Sequence, residues 1–117
     1  MDWMTYQRDS KARRNVERII ENVANAVIDI AKILLAASAL AAPPTYRDVL
    51  QMMAPAGLAD PETALELIRL APLRNSLAHG YLDYKWEGVK WFLQSGGDAV
   101  VAWLQAYEAS SERGASG

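Results

Sequence analysis

Residues 74 to 81 read Arg-Asn-Ser-Leu-Ala-His-Gly-Tyr and hold the only histidine of the chain, five residues after an arginine and two before a tyrosine. An imidazole that titrates near neutrality can move protons, and a guanidinium can grip a phosphate through two parallel hydrogen bonds. On one short stretch of backbone, the two suit phosphodiester chemistry without a metal. At 100° per helical residue, Asn75 and His79 share a face one turn apart, and Arg74 and Tyr81 align over two turns. Arg74 and His79 fall about 140° apart and flank a groove. The plainer reading is that Arg74 and His79 are capping or surface groups near a helix end closed by Gly80.

The surrounding elements read as helices. Val16, Ile19, Ile20, Val23, Val27, Ile30 and Leu34 recur at three- and four-residue steps, predicting a helix from about residue 10 to 40 with these side chains on one stripe. Asp9 or Ser10 can cap its start, and Pro43-Pro44 ends it. Ile28, Ile33 and Leu35 lie outside the stripe, which suggests two packing partners, one of them another subunit. Asn22, Asn25 and Asp29 gather on the opposite side, either as a solvated face or as the polar lining of a groove or dimer seam. Thr45 with Asp48 caps a short helix whose end Pro55 and Gly57 signal, and Asp60-Pro61-Glu62 starts another.

Pro72 interrupts what would be one helix from 61 to 80, because it cannot donate to the carbonyl of Ile68. The octet is expected just after that break. Val89, Phe92, Leu93, Val100, Trp103, Leu104 and Tyr107 predict a helix from about 85 to 108, weakened at Gly96-Gly97, each glycine about 1 kcal/mol less favourable than alanine. Trp86, Trp91 and Trp103 read as core or interface anchors rather than base-stacking platforms.

With 117 residues, 51% of them hydrophobic, the chain is expected to form a single helical domain over residues 1–109, followed by a flexible tail over 110–117. It has no cysteine and so no disulfide or thiolate-metal site, and one histidine excludes a histidine-rich metal site within one chain. No cofactor is expected. The longest apolar stretch is interrupted by Asp29 and Lys32, so a membrane span is not expected, nor is a secretory signal; the expected location is cytoplasmic. A net charge of −2 is a poor signature for a nucleic-acid binder. Its distribution helps: Arg8, Lys11, Arg13, Arg14 and Arg18 fall in one eleven-residue window, either a solvated helix face or a track for RNA phosphates.

The segment Leu73 to Tyr81 resembles the R-x-x-x-x-H-x-Y signature of HEPN-domain proteins, specifically the HepT-like toxins of prokaryotic toxin-antitoxin pairs. The segment Glu21 to Ala31 looks like that family's long second helix, Pro44-Thr45-Tyr46-Arg47 like the start of its next short helix, and Leu58 to Pro61 like the turn before the motif helix. The likeness spans residues 5 to 107 or so. HepT-like proteins usually open with another long helix, of which only Met1 to Thr5 remain here, so either dimer contacts are expected to complete the core or the groove is expected to be more open than in relatives.

The resemblance implies an all-α, up-and-down antiparallel bundle of the HEPN type. It also implies a metal-independent RNA endonuclease acting as a homodimer, with both octets in one cleft. His79 would serve as general acid or base, Arg74 would hold the scissile phosphate, and Asn75 would orient His79 or the phosphate. Tyr81 matches the tyrosine that a minimal nucleotidyltransferase antitoxin modifies with AMP. Two other classes stay open: a catalytically silent module that binds nucleotide or scaffolds a nucleotidyltransferase, and a purely structural helical dimer.

Overall fold

The structure is a computed structural model that describes residues 1–41 and 43–116, with side-chain exposure described up to residue 109. Among the described residues every regular element is helical. Asp2 caps α1 (Trp3–Arg8) by accepting the Thr5 N–H at 2.8 Å, and Asp9 then caps α2 (Ser10–Ala37) by accepting the N–H of Ala12. Between them the chain turns sharply, and Arg13 holds the turn by donating to the carbonyls of Tyr6 and Gln7. The short α1 carries one deep anchor, the fully buried Tyr6, whose ring packs on Trp86 at 5.2 Å between centroids.

α2 buries Ile20, Ala24, Val27, Ile28, Ala31 and Leu35. That face is rotated from the stripe that larger apolar residues suggest: Ile28 and Leu35 belong to the core, whereas Ile19 is 59% exposed. Ala24 and Ala31 explain the rotation. Small side chains contribute little to a hydrophobic pattern, yet they let neighbouring helices approach closely. α2 also stops at Ala37, short of the prolines. Ala39 takes a left-handed conformation (φ 59°), and Leu40 and Ala39 donate to the carbonyls of Leu35 and Ala36, the paired bonds of a Schellman ending.

Thr45 caps α3 (Tyr46–Gln51), which inserts Val49 and Leu50 into the core and gives way to turns earlier than Pro55. Asp60 caps α4 (Pro61–Ile68), its carboxyl held below the usual range by the hydroxyl and N–H of Thr63. The expected break near Pro72 falls earlier. α4 closes at Ile68, whose carbonyl Pro72 cannot serve, Arg69 turns on a tight bond to Glu66, and α5 (Leu70–His79) begins with Pro72 in its first turn.

The last segment starts sooner than its apolar phase suggests, as α6 (Leu82–Trp91), and continues through a π-turn (Phe92–Gly96) into α7 (Gly97–Ser116). A π-turn adds a residue without ending the helix, so the buried face moves to Val100 and Trp103 while Leu93, Leu104 and Tyr107 stay exposed. Gly96 is required there, since a Cβ would lie 2.8 Å from the Trp91 ring. The side chains of 110–117, where a tail is expected, lie outside the described residues. Trp91 and Trp103 are core anchors with satisfied indoles, donating to Glu66 and to the Leu58 carbonyl respectively. No helix of the described residues is long and apolar enough to cross a membrane.

Candidate active site

The octet occupies the last turns of α5 and the turn beyond it. Leu73, Ser76 and Leu77 are buried, which fixes the helix and leaves Asn75 and His79 exposed on its outer face. Arg74 is half-buried at the junction where α2, α3 and α5 pack on one another. Its Nε–H donates to Asn25 Oδ1 at 2.5 Å, and its guanidinium lies 4.4 Å from the ring centroid of Tyr46. Using Nε for Asn25 leaves the two terminal nitrogens as the free fork for a ligand. Among the described residues no carboxylate lies within ion-pair distance of this arginine, so its charge is not neutralised by the protein.

α5 ends at His79, and the chain turns before Tyr81. The alignment of Arg74 with Tyr81 over two helical turns therefore does not occur. Gly80 is extended (φ −80°, ψ 161°), not left-handed as a glycine cap often is, and its N–H closes on Ser76 O at 2.6 Å. Glycine is needed for clearance, because a Cβ would meet Ser76 O at 2.7 Å. Tyr81 becomes the N-cap of α6 and is 85% exposed, the most open of the large hydrophobic side chains among the described residues. Within one chain Arg74 and His79 stand about 7.5 Å apart along the helix axis, on faces about 140° apart.

The basic window divides. Arg13 is engaged with the end of α1, as described above. Arg8 and Lys11 line a shallow depression between α1 and the start of α2. Lys11 also begins a row with Arg14, Arg18, Asn25 and Lys32, which helical spacing places along one side of α2 leading past Arg74. Asn25, Lys32 and Tyr46 do not stand out in the sequence as groups for chemistry. Asn25 is visible there only as one member of a polar face, Lys32 by its seven-residue spacing from Asn25, and Tyr46 only as part of the Pro44 to Arg47 segment that opens a short helix. A separate cleft between α5 and α6, lined by Arg69, Leu73, Ser76, Tyr84 and Gly88, contains neither Arg74 nor His79.

A family model described as ribonuclease HepT-like matches residues 1–105. The chain belongs to the HepT-like ribonuclease family. No curated protein and no solved structure matches it. The all-helical architecture is the HepT-like HEPN fold, and membership implies a toxin ribonuclease whose substrate is RNA. The family match contains the whole octet and also Asn25, Lys32 and Tyr46.

Proposed function

We propose that this HepT-like chain is a metal-independent RNA endonuclease, the toxin of a toxin-antitoxin pair, working as a homodimer whose two octets share one cleft. The observation that carries it is Arg74, a half-buried cation steadied by Asn25 and Tyr46, with no carboxylate partner among the described residues and with an exposed histidine at the end of the same helix. A guanidinium so placed is preorganised for a phosphate and for the charge that builds on it. In the reaction, the ribose 2'-oxygen attacks phosphorus, its proton passes to a base, and the 5'-oxygen leaves with a proton from an acid. His79 fills one of these two proton roles and Asn75 orients it or the phosphate. The products are a 2',3'-cyclic phosphate and a 5'-hydroxyl.

The homodimer supplies what one chain lacks, because pairing two octets about a two-fold axis brings the Arg74 of one protomer toward the His79 of the other. Ile19, Ala26 and Ile33 support this as a contact row at seven-residue steps, each next in sequence to a member of the polar row, Arg18, Asn25 and Lys32. Arg8, Lys11, Arg14 and Arg18 extend the cleft as RNA-backbone contacts. A minimal nucleotidyltransferase antitoxin regulates the toxin by adding AMP to Tyr81.

The deciding experiment is RNA cleavage by the purified protein in the presence of EDTA. Arg74→Ala and His79→Ala should each reduce the rate by about 100-fold or more, and substrates carrying 2'-deoxyribose at the cut should resist. Cleavage that survives both substitutions in a folded protein places the active site elsewhere.

A further inference from the structure

Two cations converge on one aromatic ring beside the octet. The Tyr46 centroid lies 4.4 Å from the Arg74 guanidinium carbon and 5.3 Å from Lys32 Nζ. The ring is fixed from below: Thr45 accepts the Asp48 N–H at 3.1 Å, and Val49 and Leu50 bury the inner face of α3. Tyr46 itself remains 37% exposed, so the cations around it are reachable from solvent. Among the described residues Lys32, like Arg74, has no carboxylate within ion-pair distance. The ring attracts both charges, and anionic oxygens brought beside either cation meet a positive charge that no carboxylate among the described residues neutralises. One phosphate on Arg74 leaves Lys32 unserved.

Resting on the RNA-cleavage reading, we propose that Lys32 and Tyr46 extend the Arg74 site into a two-phosphate subsite. Arg74 takes the scissile phosphate and Lys32 a neighbouring phosphate of the same strand. Tyr46 is a positioning residue that holds the guanidinium plane in place and touches no reacting atom. Lys32 follows Asn25 by seven residues on α2, so the two stand on the same side of the helix two turns apart, in line with the basic row. The site then requires at least two consecutive phosphates for full affinity.

The test compares wild type, Lys32→Gln, Tyr46→Phe and Tyr46→Leu in two assays. The first measures affinity for a non-cleavable 2'-deoxy oligonucleotide as a function of salt. Lys32→Gln should make the dependence of log K on log salt shallower by about 0.7, the value of one single-strand phosphate contact. The second measures cleavage of a dinucleoside monophosphate and of a longer oligoribonucleotide. Lys32→Gln should raise KM for the longer substrate by about tenfold, a typical loss for one charge-assisted contact, and leave the single-phosphate substrate unchanged. Tyr46→Phe keeps the ring and should match wild type. Tyr46→Leu should lower kcat on both substrates but have no further effect when Arg74 is already alanine. An unchanged salt slope and KM in Lys32→Gln, or equal activity in Tyr46→Leu and wild type, overturns the subsite. Wild-type protein that binds the deoxy oligonucleotide with the Lys32-dependent slope yet cuts no RNA keeps the subsite and removes the nuclease.

Discussion

Asn25 and Arg74 lie 49 positions apart and meet through one hydrogen bond, the amide oxygen of α2 accepting the guanidinium Nε–H of α5. A neutral acceptor fixes the direction of the arginine without neutralising it. Asn25→Asp is nearly the same shape and reverses that choice, because a carboxylate would bind the guanidinium as a charged pair and compete with phosphate. The expected outcome is a rise in KM for RNA of about tenfold with little loss of folding stability, the size of one charge-assisted contact. Steady-state kinetics beside a urea unfolding curve check this, and an unchanged KM would show that Asn25 does not set the charge available to substrate.

Ala39 ends α2 in a left-handed conformation that costs a non-glycine residue about 1 to 2 kcal/mol. Ala39→Gly removes that strain and gives back part of it as unfolded-chain entropy, so a net stabilisation of about 0.5 to 1 kcal/mol is expected. The midpoint of urea denaturation should rise with its slope unchanged. A lower midpoint would mean that the Schellman ending is not populated.

The helices and the octet were legible in the sequence because caps and prolines act locally: Asp9, Thr45 and Asp60 each cap the helix they are expected to open. The buried face of α2 was less legible, since Ala24 and Ala31 enter the core by being small rather than by being strongly apolar. The weak point expected at Gly96-Gly97 falls where the π-turn of Phe92–Gly96 closes, but the inserted residue itself was hidden, since it leaves no mark in composition. The same limit applied to the site. His79 and Arg74 announce themselves by type, whereas Asn25 and Tyr46 become candidates only when α2, α3 and α5 are folded together around Arg74.

Tyr6 makes stability depend on pH at the alkaline end. Burial first, then the 2.6 Å hydrogen bond it donates to Glu17 and that carboxylate's charge, push its phenol well above the ordinary range. In the unfolded chain the phenol ionises near pH ~10, while the folded protein keeps the proton. The folded state therefore binds more protons above that pH. Its stabilisation is complete below pH ~10 and is lost as pH rises further. Tyr6→Phe should cost about 2 kcal/mol at neutral pH and flatten the fall in stability between pH ~9 and ~11. Unfolding curves at the two ends of that range decide it; a Phe variant as pH-sensitive as wild type would assign the effect to another group.

Ile33 and Ile19 are 67% and 59% exposed on the side of α2 next to Lys32 and Arg18. If that row is the dimer contact, Ile19→Asp with Ile33→Asp should give a folded monomer, since neither side chain belongs to the core. Cleavage should fall with the dimer, because the proposed shared cleft needs both octets. Light scattering at micromolar concentration reads the mass directly, and a double variant that stays dimeric and active moves the interface to another face.

Tyr81 is the residue on which regulation is proposed to turn, and its 85% exposure at the start of α6 suits a hydroxyl that a nucleotidyltransferase must reach. It follows His79 after only Gly80, so any group added to its oxygen enters the neighbourhood of the octet. Each added phosphate brings negative charge toward the place where the RNA backbone is proposed to meet Arg74, competing for the same guanidinium and repelling the substrate. Incubation with a cognate minimal nucleotidyltransferase and ATP should add one or more AMP units, seen by intact mass, and should suppress cleavage. Tyr81→Phe should cleave RNA as wild type does and escape both effects, because Tyr81 has no part in the proton transfers or in phosphate binding. Tyr84, one turn further along α6 and 62% exposed, is the alternative acceptor that peptide mapping would reveal. A Phe variant that is still modified and still silenced would place the switch on Tyr84 or beyond, and the geometry beside His79 would then play no part in inhibition.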